Sequence, residues 1–93
     1  MADIFEKFSL KGKSALVTGA SRGIGEQIAR TFAAAGARVI VASRKQAGVD
    51  DVARRIQEDG GDVLAVAANV SKGEEREQLV QKCLEWAGRI DVL

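Results

Sequence analysis

The sequence predicts an α/β fold built on a parallel β-sheet with crossover helices on both faces. Short apolar runs, typical of strands that are buried on both sides, alternate with segments whose apolar residues recur at helical spacing. The connections between these segments are short. Each helix therefore crosses from one strand to the next parallel strand, in the right-handed sense.

The first strand is predicted at residues 14–18 and stops at Gly19. A helix follows, and the apolar residues on one of its faces are Ile24, Ile28, Ala29, Phe32 and Ala33. Gly36 is placed to end that helix. The β-branched run at residues 38–43 predicts the second strand. A second helix then extends to Gly60, and its apolar residues are Val49, Val52, Ala53 and Ile56.

Residues 63–68 form a third apolar run and predict the third strand. Ser71 and Glu74 have the spacing of a capping box, which predicts the start of a third helix. The predicted buried stripe of this helix consists of Leu79, Val80, Cys83, Leu84 and Ala87. After Gly88, residues 90–93 open a fourth strand that looks truncated, because strands usually have about five to six residues.

These elements indicate a single Rossmann-type domain over residues 1–93, with the strand order 3-2-1-4 and a truncated fourth strand. Residues 1–12 are predicted to form an N-terminal packing arm. Because the truncated sheet leaves an open edge, we expect either part of a larger domain or association through that edge, including homo-oligomers.

Composition argues against several classes of function. The 14 basic and 13 acidic side chains nearly cancel and form no basic cluster, which argues against nucleic-acid binding. One cysteine and no histidine argue against a zinc site. No apolar run approaches the roughly 18 residues of a membrane span, and the N-terminus lacks the apolar core of a signal peptide. We therefore expect a cytoplasmic protein without nucleic-acid, membrane or metal partners.

A glycine-rich turn, Thr18 to Gly25, joins the first strand to the first helix. Gly19 allows the chain to turn sharply, Gly23 allows a pyrophosphate to approach backbone N–H groups, and Gly25 allows the helix to pack closely. The positive end of the helix then faces the ligand. The alternative is that these glycines only build a tight turn.

The end of the second strand, Ser43-Arg44-Lys45, indicates which dinucleotide binds. An acidic side chain at this place accepts a hydrogen bond from the ribose 2′-hydroxyl, whereas arginine suits a 2′-phosphate. No acid is present, and Arg22 adds a third positive charge from the glycine turn. The sequence therefore predicts NADP(H) over NAD(H). In the alternative interpretation these charges simply face solvent.

Asn69 and Val70 follow the third strand, where the crevice of such a sheet lies. The Asn69 amide has the groups to bind adenine, but the pair equally has the composition of a turn into the next helix. Cys83 lies on an apolar helix stripe, so we interpret it as a core residue and not as a nucleophile.

The turn from Thr18 to Gly25 resembles the TGxxxGxG turn of the short-chain dehydrogenase/reductase family and fits it without a gap. Residues 8–13 are similar to the lead-in of that family, and residues 88–93 to its approach to the fourth strand. The resemblance spans nearly the whole chain. It implies an oxidoreductase that uses a nicotinamide cofactor.

The resemblance also implies roles for individual residues. Ser21, Arg22 and Arg44 would surround the adenosine phosphate, and Ile24 would flank the pyrophosphate and the nicotinamide. Asn69-Val70 occupies the adenine-contacting place, where the family often has aspartate instead of asparagine.

The catalytic groups of the family do not occur in these 93 residues. Its Asn-Asn-Ala-Gly stretch would follow Leu93, its serine and Tyr-x-x-x-Lys pair would come later, and this chain contains no tyrosine. We therefore expect the chain alone, as a fragment, to bind NADP(H) without catalysing, and to meet a small carbonyl or alcohol substrate only within a complete protein.

Two other functions are compatible with the sequence. One is a stand-alone, non-catalytic NADP(H)-binding or sensing module, which the encoding reading frame would separate from an enzyme. The other is a Rossmann-like methyltransferase domain that binds S-adenosylmethionine. The basic residues Arg44 and Lys45 disfavour it, because the ribose of that ligand generally requires an acid at the second strand.

Overall fold

The computed structural model describes residues 11–21 and 23–90, and it shows a three-stranded parallel sheet in which strands and helices alternate. The strands are β1 (Ser14–Thr18), β2 (Arg38–Ser43) and β3 (Val63–Ala67). The helices are α1 (Gly23–Ala34), α2 (Gln46–Glu58) and α3 (Gly73–Ala87). β2 lies between β1 and β3, and all pairs are parallel. The predicted α/β parallel sheet is therefore confirmed.

Two predictions fall outside the described residues. The fourth strand, with its place beside β1 in the order 3-2-1-4, depends on residues 91–93. Most of the N-terminal packing arm lies within residues 1–10. The strand order 3-2-1-4 and the arm therefore stay predictions.

The helices cover both faces of the sheet, as predicted. On one face α1 and α2 pack over β-strand residues such as Val39 and Val41, and on the other α3 packs over Leu16 and Ile40. The four predicted apolar residues of α2 are all buried: Val49, Val52, Ala53 and Ile56. The core is thus two apolar layers separated by the sheet, and it leaves the carboxyl ends of the strands open.

The predicted buried stripe of α3 is partly wrong. Leu79 and Cys83 are buried against the sheet, whereas Val80 and Leu84 remain 37% and 46% exposed. Each of the exposed residues follows a buried one by a single position, which is a rotation of about 100° around the helix axis. Burial raises the pKa of the Cys83 thiol, which agrees with its interpretation as a core residue.

The capping box predicted for α3 is also wrong. The helix begins at Gly73, and its N-cap residue is Lys72, which makes no side-chain capping bond. The Ser71 hydroxyl instead donates to Asn69 Oδ1 at 2.6 Å. The Ser71 hydroxyl, which the sequence pattern assigned to the N-cap of α3, therefore stabilises the local turn after β3.

The apolar face of α1 is less buried than its pattern suggests. Ala29 is fully buried, but Ile28 is 40% exposed and Ile24 is 79% exposed. The first turn of α1 packs on the glycine turn, through Gly25, and not on a strand. Only the later turns of α1 lie over the sheet and bury their apolar side chains.

Two ion pairs join α1 to α2 and to Asp59, the C-cap residue of α2. The Arg55 guanidinium donates to Glu26 Oε2 at 2.6 Å, and Arg30 donates to Asp59 Oδ2 at 3.3 Å. The hydrogen bond and the charge of Glu26 raise the pKa of Arg55 above its usual value.

Within residues 11–21 and 23–90, no helix is long and apolar enough to span a lipid bilayer.

Candidate functional site

The three loops that follow the strands lie side by side at one edge of the sheet, because the strands are parallel and in register. The Ala20 amide donates to the Ala42 carbonyl at 3.2 Å, and the Ala68 amide donates to the Ser43 carbonyl at 2.8 Å. These two hydrogen bonds fix the loops after β1 and β3 against the end of the central strand.

The loops and the first turn of α2 enclose a cleft of about 630 Å³, within the range of about 300–1,000 Å³ for small-molecule sites. It is lined by Thr18, Gly19, Ser21, Ala42, Ser43, Arg44, Lys45, Gly48, Ala68, Asn69, Val70 and Ser71. None of these lining residues is acidic. The cleft therefore presents positive charge, hydroxyl groups and backbone groups to a ligand.

The cleft brings most of the predicted site residues together: Gly19, Ser21, Ser43, Arg44, Lys45, Asn69 and Val70. Gly23, Ile24 and Gly25 are not among its lining residues and lie instead at the start of α1. Arg22 is outside the described residues.

The glycine turn has the geometry that its sequence predicts. Gly19 and Gly23 both have φ of +64°, a conformation that favours glycine. A β-carbon on Gly23 would meet no atom of the described residues within 4 Å. A β-carbon on Gly25 would collide with the Gly19 carbonyl oxygen and lie 2.9 Å from its carbon. Gly25 thus lets α1 begin directly on the turn.

The loop after β2 is held by a serine turn. The Lys45 amide donates to Ser43 Oγ at 3.2 Å, and the same hydroxyl lies 3.3 Å from the Lys45 carbonyl oxygen, to which it donates. Arg44 and Lys45 are exposed at the rim of the cleft. Neither side chain forms an ion pair or hydrogen bond with another described residue.

Asn69 shapes the loop after β3. Its Oδ1 accepts hydrogen bonds from the amide and the hydroxyl of Ser71, at 3.1 and 2.6 Å. The backbone amide of Asn69 donates to Glu75 Oε1 at 3.2 Å. Asn69 thus forms part of a turn into the next helix. The Nδ2 group of Asn69 has no hydrogen-bond partner in the described part of the chain.

Gly48 is a cleft residue that the sequence analysis missed. It lies in the first turn of α2, and a β-carbon on it would lie 2.7 Å from the Ser21 Cβ. The available signal was a glycine near the start of an otherwise ordinary helix, where alanine is more favourable.

Comparisons with known proteins point to one family. The family model for short chain dehydrogenase matches residues 13–93. The human dehydrogenase/reductase SDR family member 2, mitochondrial, is 44% identical over 90 residues, which is 97% of this chain and 32% of that protein. The chain thus spans about a third of the length of this curated relative.

Solved structures give the same result. A metagenomic short-chain oxidoreductase in complex with NADP has a TM-score of 0.86 and 39% identity, over 90% of this chain and 38% of that one. A 7α-hydroxysteroid dehydrogenase complexed with NADH and 7-oxo glycochenodeoxycholic acid has a TM-score of 0.89 and 35% identity. The likeness covers 91% of this chain and 34% of that enzyme.

Proposed function

The chain belongs to the short-chain dehydrogenase family of oxidoreductases, and we propose that it is the NADP(H)-binding portion of such an enzyme, which acts on a carbonyl or alcohol substrate. The observation that carries the proposal is the cleft itself. A glycine turn forms one side of it. Arg44 and Lys45, whose side chains pair with no other described residue, form another, and none of the described residues that line it is acidic.

The glycine turn fits the pyrophosphate of a dinucleotide. Gly23 lies at the N-terminus of α1, and no atom of the residues that the structure describes is within 4 Å of the place that its β-carbon would take. The first amide groups of a helix have no partners inside the helix, and the helix dipole adds positive potential there. An anion at this position therefore accepts hydrogen bonds that the protein cannot otherwise satisfy.

At the other wall of the cleft, Arg44 is available to bind a phosphate, whereas most other arginines of the described residues are not. Most of them are engaged with protein groups: Arg30, Arg38, Arg54 and Arg55 with carboxylates, and Arg76 with the Val70 carbonyl. Among the described residues Arg44 has no such partner and stands at the cleft. Its guanidinium can therefore hold a 2′-phosphate through two parallel hydrogen bonds.

The adenine would lie against the loop after β3. The Val70 amide and the Asn69 Nδ2 group donate to no other described residue, so both are available to ring nitrogens. Because Asn69 Oδ1 is engaged by Ser71, the amide nitrogen is the free part of this side chain. Ile24 is largely exposed at the start of α1, where its apolar surface would cover the pyrophosphate and nicotinamide side.

A bound nicotinamide supplies the hydride chemistry of this family. The residues of this chain bind and orient the cofactor, and we assign no proton transfer to them, because the 93 residues contain neither tyrosine nor histidine. Reduction or oxidation of a substrate is thus proposed for a complete protein. The cytoplasmic location and association through a sheet edge also remain predictions.

Calorimetric titration of the folded chain with NADPH, paired with NADH, tests the proposed function. We expect saturable binding of NADPH, and an affinity for NADH about tenfold or more weaker, because one charge-assisted hydrogen bond contributes about 1.5–3 kcal/mol. Equal affinities would contradict the NADP(H) preference. Absence of binding by folded chain would contradict a phosphate site formed by the first three strands.

A further inference from the structure

Gly48 is the point at which α2 approaches the glycine turn. A β-carbon placed on Gly48 would lie 2.7 Å from the Ser21 Cβ, whereas non-bonded carbon atoms prefer separations of about 3.5–4.0 Å. Gly48 and Ser21 are both partly buried and both line the cleft. No side chain fits at position 48 unless the turn or the helix moves.

Helix stability does not account for a glycine at this position. Gly48 is inside α2, and glycine is less favourable than alanine within a helix. Its φ angle lies outside the left-handed region, so backbone conformation does not require glycine here. The close approach to Ser21 is therefore the feature of Gly48 that requires glycine.

The contact joins the two walls of the proposed cofactor site. Ser21 belongs to the turn that would hold the pyrophosphate, and Gly48 lies in the helix turn that directly follows Arg44 and Lys45. The Ser21–Gly48 distance therefore sets the separation between the phosphate-binding turn and the basic pair. A dinucleotide that bridges both walls depends on that separation.

We propose that Gly48 is a positioning residue for the NADP(H) site, because its missing side chain allows the glycine turn to seat against the first turn of α2. This inference rests on the proposed function. Gly48 itself does not contact a phosphate, and it acts only through the placement of Ser21.

The first test compares Gly48→Ala with Gly73→Ala, which changes the same residue type in the first turn of α3. Among the described atoms, a β-carbon on Gly73 would meet only Arg76 Nη2, at 3.9 Å. We expect Gly48→Ala to weaken NADPH binding by about tenfold, because small displacements of binding groups are costly, and Gly73→Ala by less than about twofold. Circular dichroism should show that both variants stay folded, because the better helix propensity of alanine offsets part of the strain at position 48. Unchanged NADPH affinity in Gly48→Ala would overturn the proposal.

The second test repeats Gly48→Ala in a Ser21→Gly background. Ser21→Gly removes the Cβ and the hydroxyl of residue 21. The Cα of that residue remains, 3.7 Å from a β-carbon on residue 48, which is an ordinary van der Waals contact. Gly48→Ala should then change NADPH affinity by less than about twofold, so the two substitutions should be strongly non-additive. An equal loss in both backgrounds would show that the effect does not run through Ser21.

A cofactor-free measurement separates this proposal from the proposed function. In ¹⁵N NMR spectra of the free chain, Gly48→Ala should shift the amide resonances of Gly19, Ser21 and Gly23, and Gly73→Ala should not. If the unsubstituted chain fails to bind NADPH, the proposed function fails, and these shifts still decide whether Gly48 positions the turn. Unperturbed turn resonances would overturn the proposal.

Discussion

Arg44 shows how a single residue becomes a candidate for ligand recognition. Its position at the end of β2 could be read directly from the sequence, because the β-branched run before it is unambiguous. The absence of an ion pair could not be read in that way. The next acids along the chain, Asp50 and Asp51, contact Gln46, Arg54 and Arg55 instead. The structure therefore adds the observation that this charge is uncommitted among the described residues.

Arg44→Asp should weaken NADPH binding by about tenfold or more and spare NADH, because an acid repels the 2′-phosphate but can accept a hydrogen bond from the 2′-hydroxyl. Fluorescence titration with both cofactors measures the two affinities. Lys82→Asp makes the same change in net charge on α3, away from the cleft, and should leave both affinities nearly unchanged. Parallel losses for NADPH and NADH in Arg44→Asp would contradict the assignment.

At the level of helices and strands, the sequence predicted segments better than it predicted helix faces. The bounds of β1 and β2 and the buried residues of α2 agree with their patterns. Val80 and Leu84 were wrongly placed in the core of α3, since apolar residues covering more than one helix face do not reveal which side meets the sheet. The ion pairs between α1 and α2 were equally hidden, because their partners lie 29 residues apart.

Glu26→Gln should lower the free energy of unfolding by about 0.5–1 kcal/mol, because Glu26 Oε2 accepts from Arg55 at 2.6 Å and its side chain is only 15% exposed. Urea unfolding at low salt measures the loss. The loss should shrink in about 1 M salt, where the screening length is about 3 Å. Asp62→Asn is the matched control, since its 4.0 Å pair with Arg38 is highly exposed and should contribute almost nothing. Similar losses for both variants would exclude a specific role for the α1–α2 pair.

At the scale of the whole molecule, the alternation of strands and helices was sufficient to predict the parallel sheet and its two covered faces. It was also sufficient to place the cleft, because parallel strands gather their carboxyl ends at one edge. It did not reveal that Ser71 joins Asn69 in a turn, nor that Gly48 meets Ser21. The Asn69–Ser71 turn is local, but Ser71 also has the spacing of a capping box, and the pattern alone does not choose between the two. The Gly48–Ser21 contact joins separate segments of the chain, which no local pattern encodes.

Cofactor binding should therefore stabilise the entire fold, since the cleft joins all three loops and the start of α2. A ligand at 100 times its Kd adds about 2.7 kcal/mol, and 1 kcal/mol corresponds to about 4–8 °C in a domain of this size. NADPH at that concentration should raise the melting temperature by about 10–20 °C. NADH at the same concentration, with tenfold weaker affinity, should give about half that shift. Thermal unfolding followed by circular dichroism measures both, and equal shifts would mean that the 2′-phosphate contributes nothing, so that Arg44 and Lys45 are surface charges only.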